Sequence, residues 1–93
     1  MKEINEALLA EIEEYAGLMF SKQEIAAIIE ITDEEFKDLL SDKDNQAWKS
    51  FQRGRLIKEG TVRKSIFDLA SNGSSPAQAF AVKLIENAKM DDI

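Results

Sequence analysis

The side chains best suited to chemistry in this chain are four cations whose spacing fits phosphate binding. At the roughly 100° turn per residue of an α-helix, they fall within about a third of one helix circumference: Lys49, Arg53, Arg63 and Lys64. Lysine and arginine are the usual partners of phosphate oxygens in nucleic-acid complexes. The pattern therefore predicts one helix face that contacts the backbone of double-stranded DNA.

The charge distribution offers a second interpretation of the same cations. The net charge of −6 is unevenly spread: residues 1–46 carry −9, residues 47–72 carry +4 and residues 73–93 carry −1. An acidic first half and a basic middle can pair with each other, within one chain or between copies. The two interpretations are compatible, because different cations of one helix can serve each purpose.

The same basic segment also carries an apolar stripe, which predicts a contact between copies. A long helix in a short chain has more apolar surface than its other helices cover, and this favours a homo-oligomer. Two cations, Arg55 and Lys58, interrupt the stripe and are candidates for salt bridges between subunits. The predicted interface residues are Trp48, Phe51, Arg55, Lys58 and Val62.

The composition argues against catalysis. Cysteine and histidine are both absent, which removes thiolate nucleophiles, the commonest general base and the commonest transition-metal ligand. No phosphate-binding glycine loop and no calcium-loop spacing occurs. We therefore expect no enzymatic activity, no cofactor and no metal site. No run approaches the roughly 20 apolar residues of a membrane span, and the first 14 residues do not follow a signal-peptide pattern, so we expect a cytoplasmic protein without a membrane partner.

The elements that position these residues are predicted to be helices throughout. Runs with two-residue alternation are missing, and there is one proline. An apolar repeat predicts a first helix over about residues 3–19. A long basic helix is predicted over 46–71, with Gly54 and Gly60 marking a bend or a close backbone contact, and Gly73 ending it. Ser75 as cap and Pro76 at the first helical position begin a last helix to about Lys89, whose apolar residues predict burial.

Between these helices, residues 21–40 fit a helix-turn-helix. The stretches SKQE and TDEE each match a capping box, in which the first and fourth residues exchange hydrogen bonds. Ala26 supplies the small residue that lets the second helix cross close by. Glu30 occupies the position usually held by a turn glycine. The predicted buried faces are formed by Ile25, Ile28 and Ile29 in the first helix and by Phe36, Leu39 and Leu40 in the second.

The predicted recognition helix is unusually acidic at its start. Asp33, Glu34 and Glu35 match the positive end of their own helix dipole, but phosphates would repel them. Thr32 and Lys37 are the predicted DNA contacts of this helix. The predicted fold is thus all-α: residues 1–45 form the acidic helix-turn-helix region and residues 46–93 form the basic and C-terminal helices with the oligomerisation surface, together best treated as one domain.

The order of these segments resembles the small terminase subunits and related phage helix-turn-helix proteins. The matching residues lie in the helix-turn-helix (Ile25, Ala26, Ile31, Thr32 and Phe36), in the basic segment (Trp48, Phe51, Gly54 and Arg55) and near the C-terminus (Ala70, Gly73, Ala77, Ala79, Phe80 and Lys83). The resemblance covers most of residues 21–87. Each motif is short, so the order and spacing carry the weight.

This resemblance implies a non-catalytic, homo-oligomeric DNA-binding protein for genome packaging. It would work beside a large terminase subunit or another phage protein, in the cytoplasm of a bacterial or phage-infected host cell. A different class remains open: a helix-turn-helix-shaped protein-interaction module, structural or regulatory in the phage, whose acidic front docks a basic partner without reading DNA. A transcription regulator is a third possibility.

Overall fold

Five α-helices make up the part of the chain that the structure describes. The computed structural model describes residues 4–93 and contains no strand in that range. The helices are α1 (Glu6–Gly17), α2 (Lys22–Ile28), α3 (Asp33–Ser41), α4 (Gln46–Ser71) and α5 (Ser75–Asp91). The prediction of a small all-α fold with a helix-turn-helix, a long central helix and a C-terminal helix is confirmed. Within the described range, no helix is both long and apolar enough to cross a bilayer.

Contacts divide the chain into two compact units whose boundary lies inside α4. Unit 1 extends to Lys58, and unit 2 runs from Glu59 to Ile93. The regions 1–45 and 46–93, together best treated as one domain, stay a prediction from the sequence. The first half of α4 belongs to unit 1, where Ala47, Phe51 and Gly54 are buried.

Side-chain caps fix where the helices of unit 1 begin. Both predicted capping boxes are present: Ser21 Oγ accepts from the Glu24 N–H at 3.1 Å, and Thr32 Oγ1 accepts from the Glu35 N–H at 3.0 Å. Such a cap stabilises a helix by about 1 kcal/mol. The Asn5 side chain accepts from the Leu8 N–H and begins α1 at Glu6. The predicted start of this helix, at about residue 3, lies outside the described residues.

Three helices are followed, two residues after their last helical residue, by a residue in the left-handed conformation. These residues are Met19 (φ 67°), Glu30 (φ 62°) and Gly73 (φ 97°). After α1, the Met19 and Phe20 N–H groups donate to Ala16 and Tyr15, and the Phe20 ring meets the Tyr15 ring edge-on. This is the Schellman arrangement, which favours glycine because other side chains crowd the backbone. Gly73 confirms the predicted stop, and Glu30 accepts the strained conformation that ends α2.

The core of unit 1 is built from the facing sides of its four helical segments. The largest fully buried side chains are Ile12, Ile25, Ile29 and Phe36. Burying one such side chain stabilises the fold by about 1.5–3 kcal/mol. Ile28, predicted to be buried with Ile25 and Ile29, is instead 40% exposed. It is the last residue of α2.

Gly54 allows α4 to lie against the backbone of α1. A Cβ atom at this position would overlap the carbonyl oxygen of Glu13 and would lie 3.1 Å from the Ala16 Cβ. A Cβ at Gly17 would in turn lie 3.3 Å from the Gly54 carbonyl oxygen. The prediction of a close backbone contact is therefore met at Gly54. At Gly60 an added Cβ would meet nothing within 4 Å in the described chain.

Unit 2 buries fewer apolar side chains than the sequence predicted. The cap of α5 is Ser74 rather than Ser75, so Pro76 is the second helical residue. The apolar residues of α5 were predicted to be buried, but in this unit only Ala77 and Ala81 are buried within the described chain. Phe80 is 60% exposed. The second half of α4 is one helix, and one helix cannot cover the several apolar faces of another.

The two helix glycines are expected to respond oppositely to alanine. Gly54→Ala should lower the free energy of unfolding by at least about 2 kcal/mol, because the new methyl group must push α1 and α4 apart. Gly60→Ala should raise it by about 0.5–1 kcal/mol, because alanine is the better helix former and meets no obstacle. Urea unfolding followed by circular dichroism measures both. A neutral Gly54→Ala would contradict the close packing of the two helices.

Candidate nucleic-acid interface

A small surface cleft joins the beginnings of α2 and α3. Its lining side chains are Lys22 and Gln23 from α2 and Asp33 and Lys37 from α3. All four residues are exposed. Two lysines, one from each helix, thus line the same cleft.

Local structure explains why these side chains meet. The Ser21 and Thr32 caps fix the first turns of α2 and α3, which carry Lys22, Gln23 and Asp33, and Lys37 follows in the second turn of α3. Beneath the surface, Ile25 and Phe36 are buried in the shared core. The orientation of the cleft thus depends on packing as well as on capping.

The acids of the α3 first turn have different surroundings. The Glu35 carboxylate accepts from the Thr32 N–H at 3.2 Å and is occupied by the capping box. Asp33 lies in the cleft with Lys22 and Lys37, where the two positive charges oppose its own. Glu34 is exposed. Of the three carboxylates, Glu35 is thus engaged in the cap, while Asp33 shares the cleft with two lysines.

Thr32 combines two capacities at this surface. Its hydroxyl oxygen accepts a hydrogen bond as the α3 cap, and the residue is exposed. A hydroxyl oxygen that accepts one bond still carries its own O–H donor. The predicted DNA contact at Thr32 is therefore sterically and chemically compatible with its capping role.

The predicted phosphate contacts on α4 fall into both units. Lys49 and Arg53 lie in unit 1, where with Trp48 and Gln52 they line a shallow depression that continues along α4. The Arg53 Nε lies 3.1 Å from a Glu13 carboxylate oxygen, with 70% of the arginine side chain exposed. Pairing between the basic helix and an acidic helix, the second interpretation of the cations, thus occurs at Arg53.

The remaining two predicted contacts belong to unit 2. Arg63 lies 3.9 Å from Glu59, one turn earlier on α4, and Lys64 is exposed. A pair this long and this exposed contributes little to stability. Arg63 and Lys64 are accordingly available to an anion, but they form no part of the cleft in unit 1.

Three predicted interface residues make contacts within the chain. Phe51 is only 9% exposed, and its ring centroid lies 6.2 Å from that of Phe36 in an edge-on arrangement. Trp48 packs against the same core. Arg55 donates through Nη2 to the Phe20 carbonyl oxygen at 2.8 Å and lies 4.7 Å from the Phe51 ring centroid. Phe51 and Arg55 therefore hold unit 1 together, and their predicted contacts with a second copy would require surface that the fold already uses.

The other two predicted interface residues remain nearer the surface. Lys58, the last residue of unit 1, is half-buried. Val62 in unit 2 is 51% exposed. Of the five predicted interface residues, Val62 thus has the largest exposed fraction.

Lys22 and Gln23 are the surface residues that sequence reasoning missed. The capping box already placed them in the first turn of α2, which was the available signal. That signal does not place them beside Lys37, because local spacing does not determine which residues of α3 lie next to the start of α2. No cluster of three carboxylates able to hold a metal ion occurs among residues 4–93.

Two arginines spaced two residues apart test the difference between a packed and a solvated cation. Arg55→Ala should lower the free energy of unfolding by about 1–2 kcal/mol, through loss of the Phe20 hydrogen bond and of stem packing on Phe51. The effect stays moderate because the Arg55 Nε is buried without a hydrogen-bond partner in the described chain. Arg53→Ala, the matched control, should change it by less than about 1 kcal/mol. Equal effects in urea unfolding would refute this assignment.

The resemblance to small terminase subunits rests on the short motifs described above and stays a prediction. Most of the matching residues lie on α2, α3, α4 and α5, whereas Ile31, Thr32 and Gly73 lie between helices. Comparison with protein-family models, with curated proteins and with solved structures gives no match for this chain.

Proposed function

We propose that this protein is a non-catalytic, double-stranded-DNA-binding protein of the small-terminase kind. It acts as a homo-oligomer in genome packaging, beside a large terminase subunit or another phage protein. DNA would meet unit 1 at the beginnings of α2 and α3. The supporting observation is that Lys22 and Lys37, from the two helices of the helix-turn-helix, line one exposed cleft.

This placement matches how a helix-turn-helix meets DNA. The first helix of such a motif crosses the phosphate backbone, and the second enters the major groove by its N-terminal end. Lys22 in the first turn of α2 is then placed for a phosphate, with Gln23 beside it. Thr32 and Lys37 belong to the end of α3 that approaches the groove. Asp33 within the cleft limits non-specific attraction and leaves binding dependent on the right geometry.

Cations of α4 supply additional attraction. Lys49 is exposed, and Arg53 is held by an exposed ion pair with Glu13. An exposed pair contributes about 0–1 kcal/mol, so a phosphate can replace the carboxylate at small cost. Arg63 and Lys64 of unit 2 are further candidates for phosphate contacts.

Salt dependence tests the DNA proposal directly. Each phosphate neutralised contributes about 0.9 to the slope of log affinity against log salt concentration. If Lys22, Lys37, Lys49 and Arg53 all contact phosphates, the slope should be about −3.6. Fluorescence anisotropy with labelled double-stranded DNA measures it. Absence of binding at low salt would overturn the proposal.

A charge-matched pair of variants locates the surface. Lys22→Ala/Lys37→Ala should weaken DNA binding at least about tenfold, a loss of about 1.4 kcal/mol, and should reduce the slope by about 1.8. The control Lys83→Ala/Lys89→Ala removes two exposed cations of α5, so its net charge equals that of Lys22→Ala/Lys37→Ala. It should leave DNA affinity within about twofold of the native value. Equal losses in both variants would indicate attraction by overall charge and not by the cleft.

The alternative function is a protein-interaction module that docks a basic partner. The observation in its favour is that Asp33 and Glu34 are exposed at the same front as the cleft. Carboxylates there would pair with lysine or arginine side chains of the partner and would fix its orientation. The net charge of −6 also favours cationic over anionic partners.

Neutralising these acids separates the two functions. Asp33→Asn/Glu34→Gln should strengthen DNA binding several-fold if phosphates approach α3, because two repulsive charges are removed. The same variant should weaken or abolish docking if a basic protein is the partner. Both amides keep the side-chain size, and the Thr32–Glu35 capping box is untouched. Unchanged DNA affinity would mean that α3 does not approach phosphates.

A further inference from the structure

The unit 1 half of α4 combines apolar and cationic side chains in one surface depression. Residues four apart in a helix lie on the same side, one turn after the other. The residues that line the depression follow this spacing in two adjacent rows and extend over about three turns of the helix. We call them the α4 strip: Trp48, Gln52 and Leu56 in one row, and Lys49, Arg53 and Ile57 in the other.

The apolar side chains of the α4 strip are accessible to another molecule. Leu56 and Ile57 are each 52% exposed. Trp48 packs against the core of unit 1 and still remains half-buried. Tryptophan and arginine are enriched among the residues that contribute most to protein–protein binding. The strip therefore has the composition of a protein-binding surface.

The charge of the strip specifies the kind of partner. Residues 46–58 contain four cations and no acid, so this half of the helix carries +4 in a chain whose net charge is −6. Lys49 and Arg53 lie in the strip itself. The Lys43 ammonium lies 5.9 Å from the Trp48 ring centroid and adds a cation at one end. Cations beside apolar side chains fit a partner that carries carboxylates beside apolar side chains.

An ion pair within unit 1 shows how the strip accepts a carboxylate from a neighbouring helix. The Arg53 Nε lies 3.1 Å from a carboxylate oxygen of Glu13, a residue of α1. A guanidinium has five N–H donors, and 70% of the Arg53 side chain is exposed. Arg53 can therefore bind a second carboxylate and keep the first. Lys49, one turn earlier, is exposed as well, so a helix lying along α4 would find two cations for its acids.

Duplex DNA would use only part of this surface. Phosphates can pair with Lys49 and Arg53. They would not cover Leu56 and Ile57, because the DNA backbone is charged along its whole length. A helix with apolar side chains flanked by carboxylates covers both kinds of residue. The strip as a whole thus favours a protein segment over nucleic acid.

We propose that the α4 strip is a docking site for an acidic amphipathic helix of another protein. The apolar side of that helix lies on Trp48, Leu56 and Ile57, as in other complexes of an amphipathic helix with an apolar groove. Its carboxylates pair with Lys49 and Arg53. This site requires no DNA and differs from the acidic front of α3, which would take a basic partner. An occupied strip leaves its two cations unavailable to phosphates.

Two designed peptides test the proposed chemistry. Each has about 18 residues, long enough to form a helix, with leucine at intervals of three and four and no tryptophan. One peptide has glutamate beside the leucines, and the other has glutamine there. The glutamate peptide should bind at least about tenfold more tightly in fluorescence anisotropy. Because the chain carries −6, overall charge would favour the glutamine peptide, so equal affinities or no binding overturn the inference.

Matched cation variants locate the site. Lys49→Ala/Arg53→Ala should weaken binding of the glutamate peptide at least about tenfold and should remove its advantage over the glutamine peptide. Arg63→Ala/Lys64→Ala removes two cations from the unit 2 half of the same helix, so its net charge is identical, and it should stay within about twofold of the native affinity. Equal losses in the two variants would overturn the assignment to the strip.

A matched pair of leucines tests the apolar contact. Leu56→Ser should weaken binding of the glutamate peptide about fivefold, because the peptide covers the exposed half of this side chain. Leu69→Ser, at a leucine that is 55% exposed in unit 2, should stay within about twofold of the native affinity. Loss of affinity in the second variant as large as in the first contradicts the proposed site.

Trp48 reports occupancy of the strip without any substitution. It is the only tryptophan of the chain, and the bound glutamate peptide should shift its emission to shorter wavelength and reduce its quenching by acrylamide. Peptide binding without protection of Trp48 would place the peptide elsewhere. Protection that rises with protein concentration alone would show a second copy on the strip, and protection by duplex DNA but not by the peptide would assign the strip to DNA. Each of these three results overturns the inference.

Discussion

The close approach of α4 to α1 at Gly54 is the constraint on which unit 1 depends. Only a residue without a side chain lets the α4 backbone meet the Glu13 carbonyl oxygen and the Ala16 methyl group. This approach brings Phe51 down onto Phe36 and sets the Arg55 guanidinium against the Phe20 carbonyl oxygen. The first half of α4 thereby becomes the fourth helical segment of the core, on which α2 and α3 pack.

Because of this packing, the cations of the basic segment have different surroundings. Arg55 is drawn inward and links α4 to the connection between α1 and α2. Arg53, two residues earlier, stays at the surface and is shared with Glu13. Lys49 remains exposed. A single helix can therefore stabilise its own unit by one cation and offer others to an anion, because successive residues point in directions about 100° apart.

The two units obtain their stability differently. Unit 1 buries four large apolar side chains completely and needs no other molecule to cover them. Unit 2 buries two alanines within the described chain and displays larger side chains around them. Sequence periodicity predicted burial for α5 because it counts apolar residues. It does not reveal whether the surface that covers them belongs to the same chain.

The sequence by itself determined the helices, their caps and their breaks. These features depend on a few neighbouring residues, such as the two capping boxes and Gly73. The helix ends in the structure lie within one or two positions of those that such signals predict. Tertiary structure decided which distant residues meet. The cleft formed by Lys22 and Lys37, the Gly54 contact with α1 and the inward turn of Arg55 each join residues that are far apart in the sequence. Such contacts follow from how helices cross, which local spacing does not encode.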